Sequence, residues 1–240
     1  MKVIEIIGKS DTGKTVLIEN LIRKLKVDGF KVGSIKKSFH HNVEYDKEGK
    51  DTYRMEQAGS SITGGFSKES AFLYFKFPVN PLDFIKNFSS LDFVLIEGEM
   101  GFAAPKIYCV GEDPIPEDPL IFALFSLKGN NPNKAELPTY TLETLSDLAY
   151  AVTTKVPEFL PQLNCGNCGF DCAGLLNRIL RGESDIKECK VLFGTKCKVS
   201  IDGQSIELMP FLDKMLENII RGFLSPLKGY RKGKIHIEIN

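Results

Sequence analysis

The stretch Gly8-Lys9-Ser10-Asp11-Thr12-Gly13-Lys14-Thr15 restricts what this chain can become more than any other. Before it, Lys2 to Ile7 is a short β-type run. After it, Val16, Leu17, Leu21, Ile22 and Leu25 recur at helical spacing. Strand, loop, helix is the setting that the pattern G-x-x-x-x-G-K-[ST] requires. Gly8 and Gly13 allow a backbone tight enough for successive N–H groups to converge on a phosphate. The first turn of the following helix adds unpaired N–H donors and the positive end of the helix dipole. Lys14 is then placed for the outer phosphates and the Thr15 hydroxyl for Mg²⁺. All eight loop residues are expected to bind a nucleoside triphosphate.

Composition narrows the partners. The 240 residues are 42% hydrophobic and 26% charged, as in a soluble globular protein, and are enough for one or two domains. Lys plus Arg balances Asp plus Glu, 31 against 31, so no electrostatic case exists for a nucleic-acid or anionic-membrane partner. Glu5 interrupts the N-terminal apolar run, which excludes a signal-peptide core there, and no stretch approaches a membrane span. A cytoplasmic protein is expected. Four of the six cysteines fall between 165 and 189, a clustering that favours metal over a disulfide framework.

Along the chain, residues 1–156 alternate strands and helices, the mark of an α/β fold with a P-loop sheet and flanking helices. Helix 14–26, strand 31–36, helix 51–58, strand 71–75 and the Pro-initiated helix 81–88 come first. Apolar runs 93–96, 106–110 and 121–125 follow, then a closing helix, 144–155. Pro157 and Pro161 mark a boundary. Residues 157–195 hold the cysteines around one helix, 173–181. Residues 196–240 form a small α+β tail, with a hairpin around Asp202-Gly203, a helix near 210–222 and a strand over 234–239.

Around the loop, Phe93 to Ile96 runs straight into Glu97, an acid at a strand end where a P-loop protein holds Mg²⁺ or its waters. Lys9 occupies the place where some dimeric ATPases carry a lysine that reaches the partner's nucleotide. Those proteins have glycines where Ser10 and Asp11 stand, which leaves a solvated lysine as the other reading. Asn133-Lys134-Ala135-Glu136 is a weak likeness to a guanine reader. Lys36, Lys50 and Arg54 are cations for phosphates of a nucleotide or of a phosphorylated substrate, and Asp46 or Asp51 could hold a metal-bound water. The alternative for all of these is a salt-bridged surface. His40 and His41 are adjacent, point apart on an extended chain, and make a poor metal pair.

The series Val32–Lys37, His40-His41, Asp46 to Arg54, Ala58-Gly59, Val94 to Gly98 and Pro105 to Ile107 resembles the molybdopterin-guanine dinucleotide biosynthesis protein B family. The likeness covers roughly residues 1–150, and Gly49-Lys50-Asp51-Thr52-Tyr53-Arg54 is its most specific part. The resemblance implies GTP binding, with slow hydrolysis involving Lys14, Thr15 and Glu97. It also implies a helper role beside a guanylyltransferase or another molybdenum-cofactor enzyme. Two departures are Asp11, where the family usually has Gly, and Lys37, where it often has His.

Cys165-x2-Cys168-x3-Cys172-x16-Cys189 is the second strong signal. Three thiolates within eight residues can face corners of one cluster, beside a helix N-terminus that favours their charge. The helix rises about 14 Å, and residues 182–188 can span up to ~25 Å, so Cys189 can return as fourth ligand. Structural zinc is the competing metal but usually takes two separated Cys-x2-Cys knuckles. Residues 159–190 are similar to the small [4Fe–4S] domain of corrinoid and electron-transport iron–sulfur proteins, with one residue fewer between the second and third cysteines. Cys197 is a spare, and Cys109 reads as core. The leading expectation is a GTP-binding accessory of molybdenum or tungsten cofactor maturation carrying a [4Fe–4S] module. Its partners would include an iron–sulfur or molybdo-enzyme target. Rival readings are a homodimeric ATPase driving electron transfer or cluster delivery, a small-molecule kinase, and a redox-responsive module that binds nucleotide without turnover.

Overall fold

Five strands assemble around the run Lys2–Ile7 (β1), which is buried almost throughout. The structure, a computed structural model, describes residues 1–38, 48–129, 137–194, 197–231 and 233–237. Its chain divides into two units, Met1–Phe159 and Leu160–Asn240. In the first, β1 is followed by α1 (Lys14–Val27), β2 (Val32–Lys36), α2 (Asp51–Gln57), β3 (Ile62–Phe66), β4 (Ala71–Phe75) and α3 (Pro81–Lys86). Then come β5 (Phe93–Glu97), β6 (Lys106–Cys109), β7 (Ile121–Phe125), β8 (Thr139–Tyr140) and α4 (Leu145–Lys155). The central sheet is parallel with order β2-β5-β1-β6-β7-β8. β5 and β7 are continuous apolar runs because both sheet faces are covered.

β1 lies between β5 and β6, so the chain leaves it toward one half of the sheet and returns on the other. That reversal opens a crevice at the carboxyl ends of the strands, where ligands of such sheets bind. α1 leaves the crevice and buries Leu17, Ile18, Leu21 and Leu25, and it packs beside α4. It ends in a Schellman motif, with Phe30 N–H on the Leu25 carbonyl and Gly29 N–H on that of Lys26.

β3 was not expected from the sequence, since Ile62–Phe66 carries two adjacent glycines, Gly64 and Gly65, which are poor strand formers. They are there because β4 carries Phe72 and Leu73 opposite. A Cβ on Gly65 would lie 2.3 Å from the Phe72 ring, and one on Gly64 would lie 3.0 Å from Leu73. The two-residue β8 was equally unforeseen.

The second unit holds α5 (Cys172–Leu180), a 3₁₀ turn (Ile186–Glu188), α6 (Lys190–Phe193), the antiparallel pair β9 (Val199–Ile201) and β10 (Gln204–Ile206), and α7 (Pro210–Leu224). The hairpin turns at Asp202-Gly203, both at positive φ. The strand expected over 234–239 is corrected in its described part: residues 234–237 form none. Alternation supplies β propensity, but a strand needs a ladder, and β9–β10 remains two-stranded. No described helix is long and apolar enough to cross a membrane.

One buried charge stands out in β1. Glu5 is 1% exposed; its Oε1 accepts the Met100 N–H at 2.7 Å, while Oε2 has no hydrogen-bond partner. Burial above all pushes its carboxyl up to about 7 from 4.5, against the Met100 N–H and neighbouring Lys106, with Glu99 and Asp118 adding to the rise. The folded state therefore holds this proton more tightly than the unfolded chain. Stability from this group is full below pH 4.5 and is lost as pH rises through about 7. At roughly 1.4 kcal/mol per pH unit the loss approaches ~3 kcal/mol. Glu5→Gln should raise the melting temperature by several degrees at pH 8 and leave it nearly unchanged at pH 5. Equal shifts at both pH values would contradict this account.

Candidate functional site: a P-loop and a four-cysteine pocket

The loop after β1 is built from left-handed backbone. Gly8 (φ 140°), Asp11 (φ 61°) and Gly13 (φ 91°) all have positive φ. Such alternation is what turns N–H groups toward a common anion. Gly8 is also required sterically, since a Cβ there would meet the Cys109 carbonyl at 2.7 Å. Asp11 explains why glycine is usual at its position: an L-residue is strained there, and Asp is among the few that tolerate it. Lys14 Nζ donates to the carbonyls of Gly8, at 2.9 Å, and Lys9, and the Thr12 hydroxyl donates to the Lys9 carbonyl at 2.8 Å. The side chain of Lys14 thus lies across the loop at its mouth. Gly13 caps α1 without a side-chain hydrogen bond, and no acidic residue lies in the first turn. Its N–H donors are left for an anion.

Register brings the acid to the loop. Ile6 of β1 and Lys36 of β2 both pair with Glu97 of β5, so Glu97 and Lys36 end at the same edge as the P-loop. The Thr15 hydroxyl donates to Glu97 Oε2 at 2.9 Å, and Lys36 Nζ lies 3.9 Å from Glu97 Oε1. Two oxygen donors of the kind that suits Mg²⁺ therefore touch. Lys9 points elsewhere, pairing with Asp113 at 2.7 Å, a contact the sequence did not reveal. That hydrogen bond and charge raise the Lys9 pKa. Ser10 lies in the exposed turn of the loop.

Lys50, Asp51 and Arg54 are placed differently. Lys50 is the N-cap of α2, and Arg54 faces Asp51 at 4.0 Å on the exposed helix surface. α2 itself packs on β3. His40, His41, Asp46 and the segment Asn133 to Glu136 lie outside the described residues. Cys109 is fully buried in β6, and burial pushes its thiol up to about 12, so it behaves as core.

In the second unit Cys165, Cys168, Cys172 and Cys189 all line one pocket, walled by Leu160, Leu163, Phe170, Leu175 and Val191. Cys172 opens α5, whose N-cap Asp171 accepts the Gly174 N–H at 2.6 Å. Cys189 precedes α6 after a capping box on the 3₁₀ turn. Asn164 Oδ1 accepts the Cys172 N–H at 3.0 Å. Burial raises the Cys172 thiol pKa, while the N–H groups of Asn164 and Gln162 pull it down and Cys189 and Cys165 add to the rise. Asn164 (φ 46°) and Gln162 (φ 61°) are themselves left-handed.

Among the described residues no three His, Cys, Asp or Glu side chains converge tightly enough for a single ion. The four thiols belong to the lining of a single pocket. Tetrahedral zinc, at about 2.3 Å per bond, needs sulfurs roughly 3.8 Å apart. A cuboidal cluster takes thiolates at its corners, and four cysteines are its usual donor set. The residues fit such a cluster. Cys197 is not among the pocket residues; its N–H donates to Asp213 at 2.7 Å.

Comparison with known proteins agrees with both halves. Residues 3–122 match the family described as "Molybdopterin guanine dinucleotide synthesis protein B", and residues 160–191 match one described as "Putative Fe-S cluster". A Methanocaldococcus jannaschii protein named "Putative molybdopterin-guanine dinucleotide biosynthesis adapter protein" is 30% identical over 252 residues, spanning 100% of this chain and 98% of its own. The Haemophilus influenzae molybdopterin-guanine dinucleotide biosynthesis adapter protein is 38% identical over 120 residues, 47% of this chain and 66% of its own. The crystal structure of Bacillus subtilis MobB shares the fold, with a TM-score of 0.52 at 21% identity over 65% of this chain and 99% of that one. A P-loop on a parallel sheet, joined to a four-cysteine unit that matches an iron–sulfur family, thus places this chain in the molybdopterin guanine dinucleotide synthesis protein B family.

Proposed function

We propose that this protein is a GTP-binding adapter in the formation of molybdopterin guanine dinucleotide, carrying a [4Fe–4S] cluster in its second unit. The observation that carries the nucleotide reading is the Thr15–Glu97 contact beside a left-handed loop and an uncapped helix start. In this reading the loop from Gly8 to Thr15 cradles the phosphates, and Lys14 exchanges its two carbonyls for phosphate oxygens. Thr15 and Glu97 hold Mg²⁺ or its waters, and Lys36 neutralises Glu97 or reaches the outer phosphate. A cluster, when bound, supplies one-electron chemistry through Cys165, Cys168, Cys172 and Cys189. The names of the relatives support the adapter role, and a guanylyltransferase is the partner class that such an adapter would serve.

Titration of anaerobically purified protein with GTP and ATP, with and without Mg²⁺, tests this. Tighter binding of GTP, strengthened by Mg²⁺, is expected, with slow or no turnover. Equal or better ATP affinity would remove the guanine assignment.

A further inference from the structure

Lys9 is not free in its own chain. Its carbonyl is held by Thr12 and Lys14, so its backbone is fixed, and its side chain runs to Asp113 at 2.7 Å. Asp113 belongs to the segment between β6 and β7, which starts against the P-loop. The Cys109 carbonyl fills the space beside Gly8, and a Cβ on Gly111 would lie 3.0 Å from Thr12 Cγ2. Pro114 follows Asp113 and restricts its backbone to extended conformations. This segment therefore presents a carboxylate to the P-loop cation nearest the loop's first glycine. A carboxylate and a phosphate offer a lysine the same kind of charged acceptor.

We propose that Asp113 and the outer phosphates of a nucleoside triphosphate compete for Lys9, so that Asp113 is a positioning residue that weakens phosphate binding and releases when it occurs. The proposal rests on the nucleotide reading above. It accounts for a lysine at this position without glycines after it: the lysine is engaged within its own chain, not aimed at a partner. Both side chains are partly in water, 71% and 40% exposed, so the contact is modest and salt-sensitive. Asp113→Asn should tighten triphosphate binding roughly two- to five-fold at low salt, with little change for the diphosphate.

The test is a double-mutant cycle on the full chain, reading dissociation constants for a non-hydrolysable GTP analogue and for GDP by calorimetry. Wild type, Asp113→Asn, Lys9→Ala and the double variant are compared, with circular dichroism confirming that each is folded. The expected result is a gain from Asp113→Asn that disappears in the Lys9→Ala background. An unchanged constant for Asp113→Asn, or an equal gain without Lys9, would overturn the competition while leaving nucleotide binding intact. Wild type that binds neither the GTP analogue nor GDP would overturn the nucleotide reading on which the proposal rests.

Discussion

Lys14→Ala is expected to weaken GTP–Mg²⁺ binding by about 100-fold, roughly 2.7 kcal/mol, with little change in melting temperature. The size follows from what the side chain would do. A bound triphosphate gives Lys14 charged acceptors, whereas its present partners are two backbone carbonyls, those of Gly8 and Lys9. Neutral bonds of that kind contribute about 1 kcal/mol each. The helix that Lys14 starts is anchored by Leu17, Ile18, Leu21 and Leu25, which the substitution does not touch. Thr15→Ala should act differently. It removes one of the two oxygens proposed for the metal and leaves Glu97 without its hydroxyl donor. GTP should then bind almost equally with Mg²⁺ and with a chelator. Calorimetric titration of both variants, with and without Mg²⁺, separates the two roles. A Lys14→Ala protein that binds GTP within two-fold of wild type would remove the P-loop from the nucleotide site.

The P-loop and the cysteine cluster were legible because their constraints are local. Gly8, Gly13, Lys14 and Thr15 act at fixed spacing within one strand–helix turn, and three cysteines act within eight residues. Glu97 was legible because an apolar strand runs directly into it. What escaped was set by residues far apart in sequence. Asp113 reaches Lys9 across two strands, and nothing in its own surroundings distinguishes it from any acidic loop residue. Glu5 read only as an interruption of an apolar run. Its character comes first from burial, and then from Met100, Lys106, Glu99 and Asp118 nearby, of which the parallel register supplies Lys106. β3 was hidden for a related reason: glycine is a poor strand former alone, yet Gly65 is the residue that admits the Phe72 ring. Lys50, Asp51 and Arg54 show the converse. Their pattern carries the resemblance, but Lys50 caps α2, which packs on β3, and Asp51 and Arg54 pair with each other.

Cys172→Ala should abolish cluster binding, reducing iron from about four per chain to near zero in anaerobically purified protein, together with acid-labile sulfide. Cys172 is the most telling choice because three features meet there. It begins α5, its N–H is held by Asn164, and the N–H groups of Gln162 and Asn164 stabilise its thiolate. Losing it would remove a proposed ligand and the thiol that the N–H groups of the left-handed Asn164 and Gln162 face. Cys165→Ala, Cys168→Ala and Cys189→Ala should give the same loss, since all four line one pocket. Cys109→Ala and Cys197→Ala supply the contrast. The first is a buried strand residue of the other unit, and the second bonds to Asp213 and does not line the pocket. Both should keep their iron. The second unit should also melt earlier in the four cysteine variants, because the buried Leu160, Leu175 and Val191 line the pocket that the cluster would fill. Stoichiometric zinc without sulfide in the wild-type protein would replace the cluster with a structural ion. In that case the same four thiols would form a tetrahedral site of the kind structural zinc takes.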